Sequence, residues 1–338
     1  MNPVRLTGPG LRWLALTLGV LAGCASPRVL MHPVHPTPPL LAPDHILAED
    51  GMRLPLTLWR PQAEARAVVL ALHGFNDRRA AFDELGEFLA ARGVAVYAYD
   101  QRGFGATAGA GGWYGHARLI ADVHLSLRLL RDRHPGLPLI LAGESMGAAI
   151  ALLSAIEPAA PAVDGLVLLA PAVWSRASMP WYQRGLLWLA AHTFPGATVS
   201  PRGLSIRPTD NEAALKKLRE DAQVIKQTRV EALWGLADLM DAATAVTRLP
   251  PAPTLILYGA RDEVIRRGPV CAWLAGLAHG PQHRLAVYPQ GWHLLTRDLQ
   301  AEVVLRDLSA WIGEPSAPLP SGAEQSLTAP ALCSAGGA

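Results

Sequence analysis

The residues best suited to chemistry are a serine, an aspartate and a histidine, each set among small residues. Ser145 stands in Gly143-Glu144-Ser145-Met146-Gly147, between an apolar run, Leu137 to Ala142, and the helix-forming run Ala148 to Ile156. A serine flanked by glycines, with a strand before it and a helix after it, is the context of a nucleophile elbow. The glycines remove side chains that would collide with strand and helix, so a strained serine can stand at the strand's carboxyl end. Serine attacks well only if a base takes its proton and a third group orients the base. On an elbow of this kind the partners follow in the order acid, then histidine. Asp262, in Tyr258-Gly259-Ala260-Arg261-Asp262, and His293, in Gly291-Trp292-His293, fit that order. Ser145 is therefore expected as nucleophile, His293 as base and then acid, and Asp262 as the group that fixes the imidazole. Glu263 and Asp298 are the rival acids.

The developing oxyanion needs two N–H donors. Met146, first after the nucleophile, supplies one from a helix N-terminus. The second is expected from Phe75, in His73-Gly74-Phe75-Asn76-Asp77. His73 precedes the nucleophile and is expected to shape that loop.

Elements that could hold these groups alternate along the chain. Ile46–Ala48 and Leu54–Trp59 read as a hairpin. Ala67–Leu72, Val94–Tyr99, Gly165–Ala170, Thr254–Tyr258 and Arg284–Tyr288 read as further strands. Phe82–Ala91, Leu119–Leu130, Val270–Ala278 and Val303–Ile312 read as helices. Strand and helix in alternation imply right-handed crossovers and a mostly parallel sheet covered on both faces. Asp262 and His293 then follow strands that end on the same sheet edge as Ser145. Between Trp174 and Thr247 the alternation stops. Helices are expected at Trp181–Ala191, Asn211–Lys226 and Arg229–Ala245, as an insertion over the carboxyl edge.

Composition narrows the classes. Of 338 residues half are hydrophobic and 17% charged, and the formal net charge is +2, so a large core is possible and no basic footprint for nucleic acid is present. Cys/His spacing suggests no metal site, and no cofactor is expected. Three cysteines are too few for a disulfide scaffold. Whether Cys271 and Cys333 pair is open, and no disulfide is expected to be essential.

Taken together, five segments resemble the α/β-hydrolase superfamily, in its lysophospholipase and monoacylglycerol-lipase-like branch with a serine aminopeptidase S33-type domain. They are His73-Gly74-Phe75, Asp100-Gln101-Arg102-Gly103-Phe104-Gly105, Gly143 to Gly147, Gly259 to Asp262 and Gly291 to His293. The resemblance spans about Ile46 to Ile312. It implies the α/β-hydrolase fold with a helical cap and hydrolysis of a small-molecule acyl ester through an acyl-enzyme. Where relatives commonly carry a serine two places after the second segment, Thr107 keeps a hydroxyl. An aminopeptidase or amidase on the same fold, and a non-catalytic surface binding protein, are the competing readings.

The N-terminus has a second resemblance. Arg5 and Arg12 precede an apolar segment, Trp13 to Ala22, too short for a comfortable membrane span. It ends in Leu21-Ala22-Gly23-Cys24, which resembles a bacterial lipoprotein signal. That implies cleavage after residue 23, lipidation of Cys24 and attachment to a membrane of the cell envelope. Ser26 in place of aspartate fits the outer membrane, facing the periplasm. Residues 24–43 read as a Pro-rich tether, with His32 and His35 as linker residues. Residues 44–312 read as the hydrolase domain with its cap at about 174–247, and residues 313–338 as a flexible tail.

Overall fold

The computed structural model describes residues 27, 29–200 and 206–334. Cys24 and the apolar segment before it lie outside the described residues. Continuous apolar runs form the central strands, because strands covered on both faces need no polar alternation. The strands are β1 (Leu40–Leu41), β2 (His45–Leu47), β3 (Arg53–Trp59), β4 (Ala67–Leu72), β5 (Val94–Tyr99), β6 (Leu139–Glu144), β7 (Gly165–Leu169), β8 (Thr198–Val199), β9 (Thr228–Arg229), β10 (Thr254–Gly259), β11 (His283–Tyr288) and β12 (Glu324–Gln325). Among the described residues ten of them form one sheet in the order β1-β2-β3-β5-β4-β6-β7-β10-β11-β12. The pairs from β5 to β11 are parallel, while β1–β2, β2–β3, β3–β5 and β11–β12 are antiparallel.

The helices are α1 (Asp83–Ala90), α2 (His116–Arg133), α3 (Met146–Ile156), α4 (Trp181–Thr193), α5 (Glu212–Glu220), α6 (Val230–Thr244), α7 (Arg267–Ala275), α8 (Ala301–Gly313) and α9 (Ala331–Ser334). Strand β4 shows how the pleat divides the core. Val68, Leu70 and Leu72 join the face covered by α2, α3, α6 and α7. Ala67, Val69 and Ala71 join the opposite face, covered by α1 and α8. This is the α/β-hydrolase architecture.

The insertion holds α4, α5 and α6, and a short β8–β9 ribbon the sequence did not signal. Helix α5 is shorter than its pattern. Asn211 caps its start by accepting from the N–H groups of Ala213 and Ala214. Beyond its end, the Lys226 ammonium donates to the carbonyls of Leu218, Asp221 and Val224, which holds the chain in a turn.

Both ends make contacts that the reading of a tether and a flexible tail did not include. In the tether, Leu30 N–H donates to Trp113 O at 2.7 Å, and His35 and Thr37 N–H donate to Asp50 O and Glu49 O at 3.2 and 3.1 Å. Strand β1 then extends the hairpin. Unpaired edge groups of the sheet and the Gly109–Gly112 loop offer partners that composition cannot show. In the tail, β12 pairs with β11, and Cys333 in α9 is bonded to Cys271 in α7. The chain after Gly313 thus returns to the sheet through residue 334.

Candidate active site

Ser145 follows β6 and precedes α3, with φ 56° and ψ −115°. A non-glycine residue held in this region costs about 1–3 kcal/mol, and such positions persist only where the surroundings impose them. Here the flanking glycines let strand and helix backbones close in around it. A Cβ on Gly147 would stand 2.0 Å from Leu72 O, and one on Gly143 would stand 2.2 Å from Gly147 O. Neither can be built without moving backbone. The neighbours on both sides are buried, whereas Ser145 itself is half-buried and reachable.

Asp262 and His293 stand on the loops after β10 and β11, beyond β7 from Ser145. The two loops are joined by backbone bonds, Ala260 N–H to Tyr288 O at 3.0 Å and Arg261 N–H to Gly291 O at 2.9 Å. The close approach depends on Gly259, where a Cβ would meet Trp292 O at 2.2 Å. His293 Nδ1 lies 2.7 Å from Asp262 Oδ2. Asp262 Oδ1 accepts from Val264 and Ile265 N–H at 2.8 and 2.9 Å, so the carboxylate cannot rotate away.

The rival acids are occupied elsewhere. Asp298 accepts from Trp292 N–H at 2.7 Å, and burial pushes it up to about 6. Glu263 accepts from Arg207 N–H at 2.7 Å. Of the three carboxylates, Asp262 is the one that meets the imidazole.

His293 is buried, and burial opposes its cation. The charge and hydrogen bond of Asp262 outweigh that cost, with help from Glu144, so its pKa lies above the ordinary histidine value. Nδ1 donates to Asp262, which leaves Nε2 as the basic nitrogen. His73 is the opposite case. It is fully buried, Nδ1 donates to Gly74 O at 2.8 Å and Nε2 accepts from Gln101 N–H at 3.1 Å. Burial lowers its pKa, so it stays neutral and braces the loop that carries Phe75.

Met146 opens α3, and Phe75 stacks edge-on against Phe104 at 5.6 Å. The Phe75 loop is further fixed to the cap, because Asn76 O accepts from Ile225 N–H at 2.9 Å. Thr107 Oγ1 donates to Phe104 O at 2.7 Å and accepts from Gly103 N–H at 3.1 Å, closing the turn under that ring.

A family model described as "Serine aminopeptidase, S33" matches residues 63–300. The chain belongs to this family. As a member of the S33 family it is a serine hydrolase, and it spans about nine-tenths of the two curated relatives that follow. Monoglyceride lipase of Homo sapiens is 26% identical over 291 residues, 81% of this chain and 91% of the relative. Monoacylglycerol lipase of Mycolicibacterium smegmatis is 26% identical over 271 residues, 78% and 93% respectively. Among solved structures, Paleococcus ferrophilus monoacylglycerol lipase superposes with a TM-score of 0.65 at 22% identity, over 78% of this chain and 99% of its own. A soluble variant of monoglyceride lipase from Saccharomyces cerevisiae, in complex with a substrate analog, gives 0.66 at 18% identity, over 87% and 99%. These structures share the S33 chain's fold.

Three features of the site were not legible beforehand. The cap's return limb is sewn to the base loop, with Leu294 N–H donating to Pro208 O at 3.0 Å and Asn211 Nδ2 to Arg297 O at 2.9 Å. Arg102 is buried between Asp50 and Asp122 and ties the hairpin turn to α2. Arg297 bonds to Asp77 and to Glu144, the residue before Ser145. A buried arginine in a loop has no periodicity to mark it.

Proposed function

We propose that this chain is an ester hydrolase that uses Ser145, His293 and Asp262 on single-chain acyl esters, either monoacylglycerols or lysophospholipids. The observation that carries this reading is the Asp262–His293 hydrogen bond, at the sheet edge where Ser145 is held in strained backbone. Ser145 Oγ attacks the ester carbonyl while His293 Nε2 takes its proton. Phe75 and Met146 N–H stabilise the oxyanion. His293 then protonates the departing alcohol, and water, activated by the same nitrogen, frees the acid.

The acyl-chain part rests on the cap. Helix α4 exposes Trp181 (79%), Leu186 (65%) and Leu189 (52%), with Phe194 (70%) just beyond it. So much apolar surface on a helix over a catalytic edge suits a lipid-like substrate. The named lipases among its relatives support the same class.

The envelope location rests on two independent features. Cys24 ends a lipoprotein-like signal, and a disulfide joins Cys271 to Cys333. Disulfides persist in oxidising compartments such as the periplasm. On this reading Cys24 carries the lipid anchor.

The test is a fluorophosphonate probe followed by a substrate panel. Wild type should be labelled and Ser145→Ala should not, with turnover falling by about 10⁴ or more. p-Nitrophenyl and monoacylglycerol esters should outpace aminoacyl-anilides. Faster anilide cleavage would favour an aminopeptidase, and an unlabelled wild type would favour a binding protein.

A further inference from the structure

Arg297 lies four residues after His293, at the end of a turn in which its N–H donates to Leu294 O at 2.8 Å. Its side chain is 8% exposed. Nη1 donates to Asp77 Oδ2 at 2.8 Å and Nη2 to Glu144 Oε1 at 2.5 Å. Asp77 closes the oxyanion loop. Its N–H donates to Gly74 O at 3.2 Å, and its Oδ1 accepts from Arg78 N–H at 2.8 Å. Glu144 is the last residue of β6 and is covalently joined to Ser145. One planar guanidinium therefore spans the loops that carry Phe75, Ser145 and His293.

Stability alone is a poor reason for this cluster. A buried ion pair is often no better than apolar residues of the same volume, because desolvation offsets the attraction. The cluster is also not fully satisfied. Glu144 Oε2 and Arg297 Nε have no hydrogen-bond partner among the described residues. What a fork with fixed angles supplies, and an apolar plug does not, is register between three separate loops.

We infer that Arg297 is a positioning residue that holds the Phe75 loop, the Ser145 elbow and the His293 turn in one geometry for acyl transfer. The inference rests on the esterase reading. Arg297 touches no substrate and acts through its neighbours. It also moderates a field. The groups facing His293 are Asp262, Glu144 and Arg297; both carboxylates favour the imidazolium and Arg297 opposes it. Removing the guanidinium takes away a charge that opposes the imidazolium but also the partner that keeps buried Glu144 ionised, so the two effects on His293 oppose each other. Removing the Glu144 charge should move the acid limb of activity to lower pH.

The experiment uses the full chain with Arg297→Lys and Glu144→Gln. Each is measured for fluorophosphonate labelling, melting temperature, and kcat and KM on a soluble p-nitrophenyl ester across pH. Lysine keeps the charge and loses the fork, so Arg297→Lys should stay folded, keep KM within about threefold and lose about 10²-fold in kcat, the scale of a small misplacement of reacting groups. Glu144→Gln should shift the acid limb down. An active, labelled wild type whose Arg297→Lys variant turns over at the wild-type rate overturns the inference alone. So does a loss of kcat that merely tracks melting temperature, with an unmoved acid limb in Glu144→Gln. A wild type that is neither labelled nor active overturns the esterase reading and this inference with it.

Discussion

At the scale of single residues, the site is a problem of holding one imidazole. Asp262 presents one oxygen to Nδ1 of His293 and spends the other on two backbone N–H groups. Asp262→Asn should leave the fold intact and lower kcat by about 10⁴, because an amide at this place supports the wrong tautomer. Asp298→Asn should be mild by comparison; the reverse ranking in steady-state kinetics would reassign the acid. The pH dependence follows from the raised pKa of His293. The base must be neutral to act, so kcat/KM on a neutral ester should fall as pH falls through a value above the ordinary ~6.5 of histidine. Stability runs the other way. A folded pKa above the unfolded one makes protonated His293 stabilising, a contribution fully present below ~6.5 and lost as pH rises through the folded value. Melting curves and rate profiles should therefore show opposite trends across that window.

At the scale of elements, the cap divides into two populations that the sequence runs together. Trp174, Met179 and Leu187 pack against the core, whereas Trp181, Tyr182, Leu186 and Trp188 face outward. The division follows from a helix lying on the body, which buries only the stripe that touches it. Two outcomes should separate in one experiment. Leu187→Ala should destabilise by about 2 kcal/mol and lower all activities together. Trp181→Ala with Leu186→Ala should leave melting temperature and short-ester turnover nearly unchanged while lowering turnover of long-chain monoacylglycerol several-fold. Equal losses on both substrates would remove the cap from substrate handling.

At the scale of the whole molecule, both ends of the described chain are fastened to the sheet. Residues 29–41 run along the Gly109–Gly112 loop and the hairpin, and β12 adds to β11. The disulfide closes the second of these across 62 residues. Cys271→Ser with Cys333→Ser should lower stability by about 2–4 kcal/mol, read as denaturant midpoint, without changing Ser145 labelling. The proposed lipidation of Cys24 belongs to this scale too. Cys24→Ala should move the protein from the membrane to the soluble fraction and leave hydrolysis of a soluble ester intact; a variant that stays with the membrane would remove the anchor.

Local signals were sufficient to place the strands and the Ser145 elbow. A serine between two glycines, after an apolar run and before helix formers, has few other uses, because only that turn needs both glycines. Asp262 and His293 were legible as residues that follow strands of one parallel sheet, which bring their loops to one edge whatever the side chains do. Chain order already favoured Asp262, since Asp298 follows the histidine; what was not legible was the distance that separates Asp262 from Glu263 as the partner of the imidazole. Nor were the docked tether, the paired Cys271 and Cys333, or the role of Arg297. Each depends on contacts between segments far apart in the chain, and composition reports what a segment lacks on its own rather than what another segment offers it. Residue pattern determined the elbow, the strand order of the chemistry and the presence of a cap. Only the tertiary structure decided which apolar residues stay in water and what ties the loops of the site together, because those are differences of a few ångströms that no periodicity encodes.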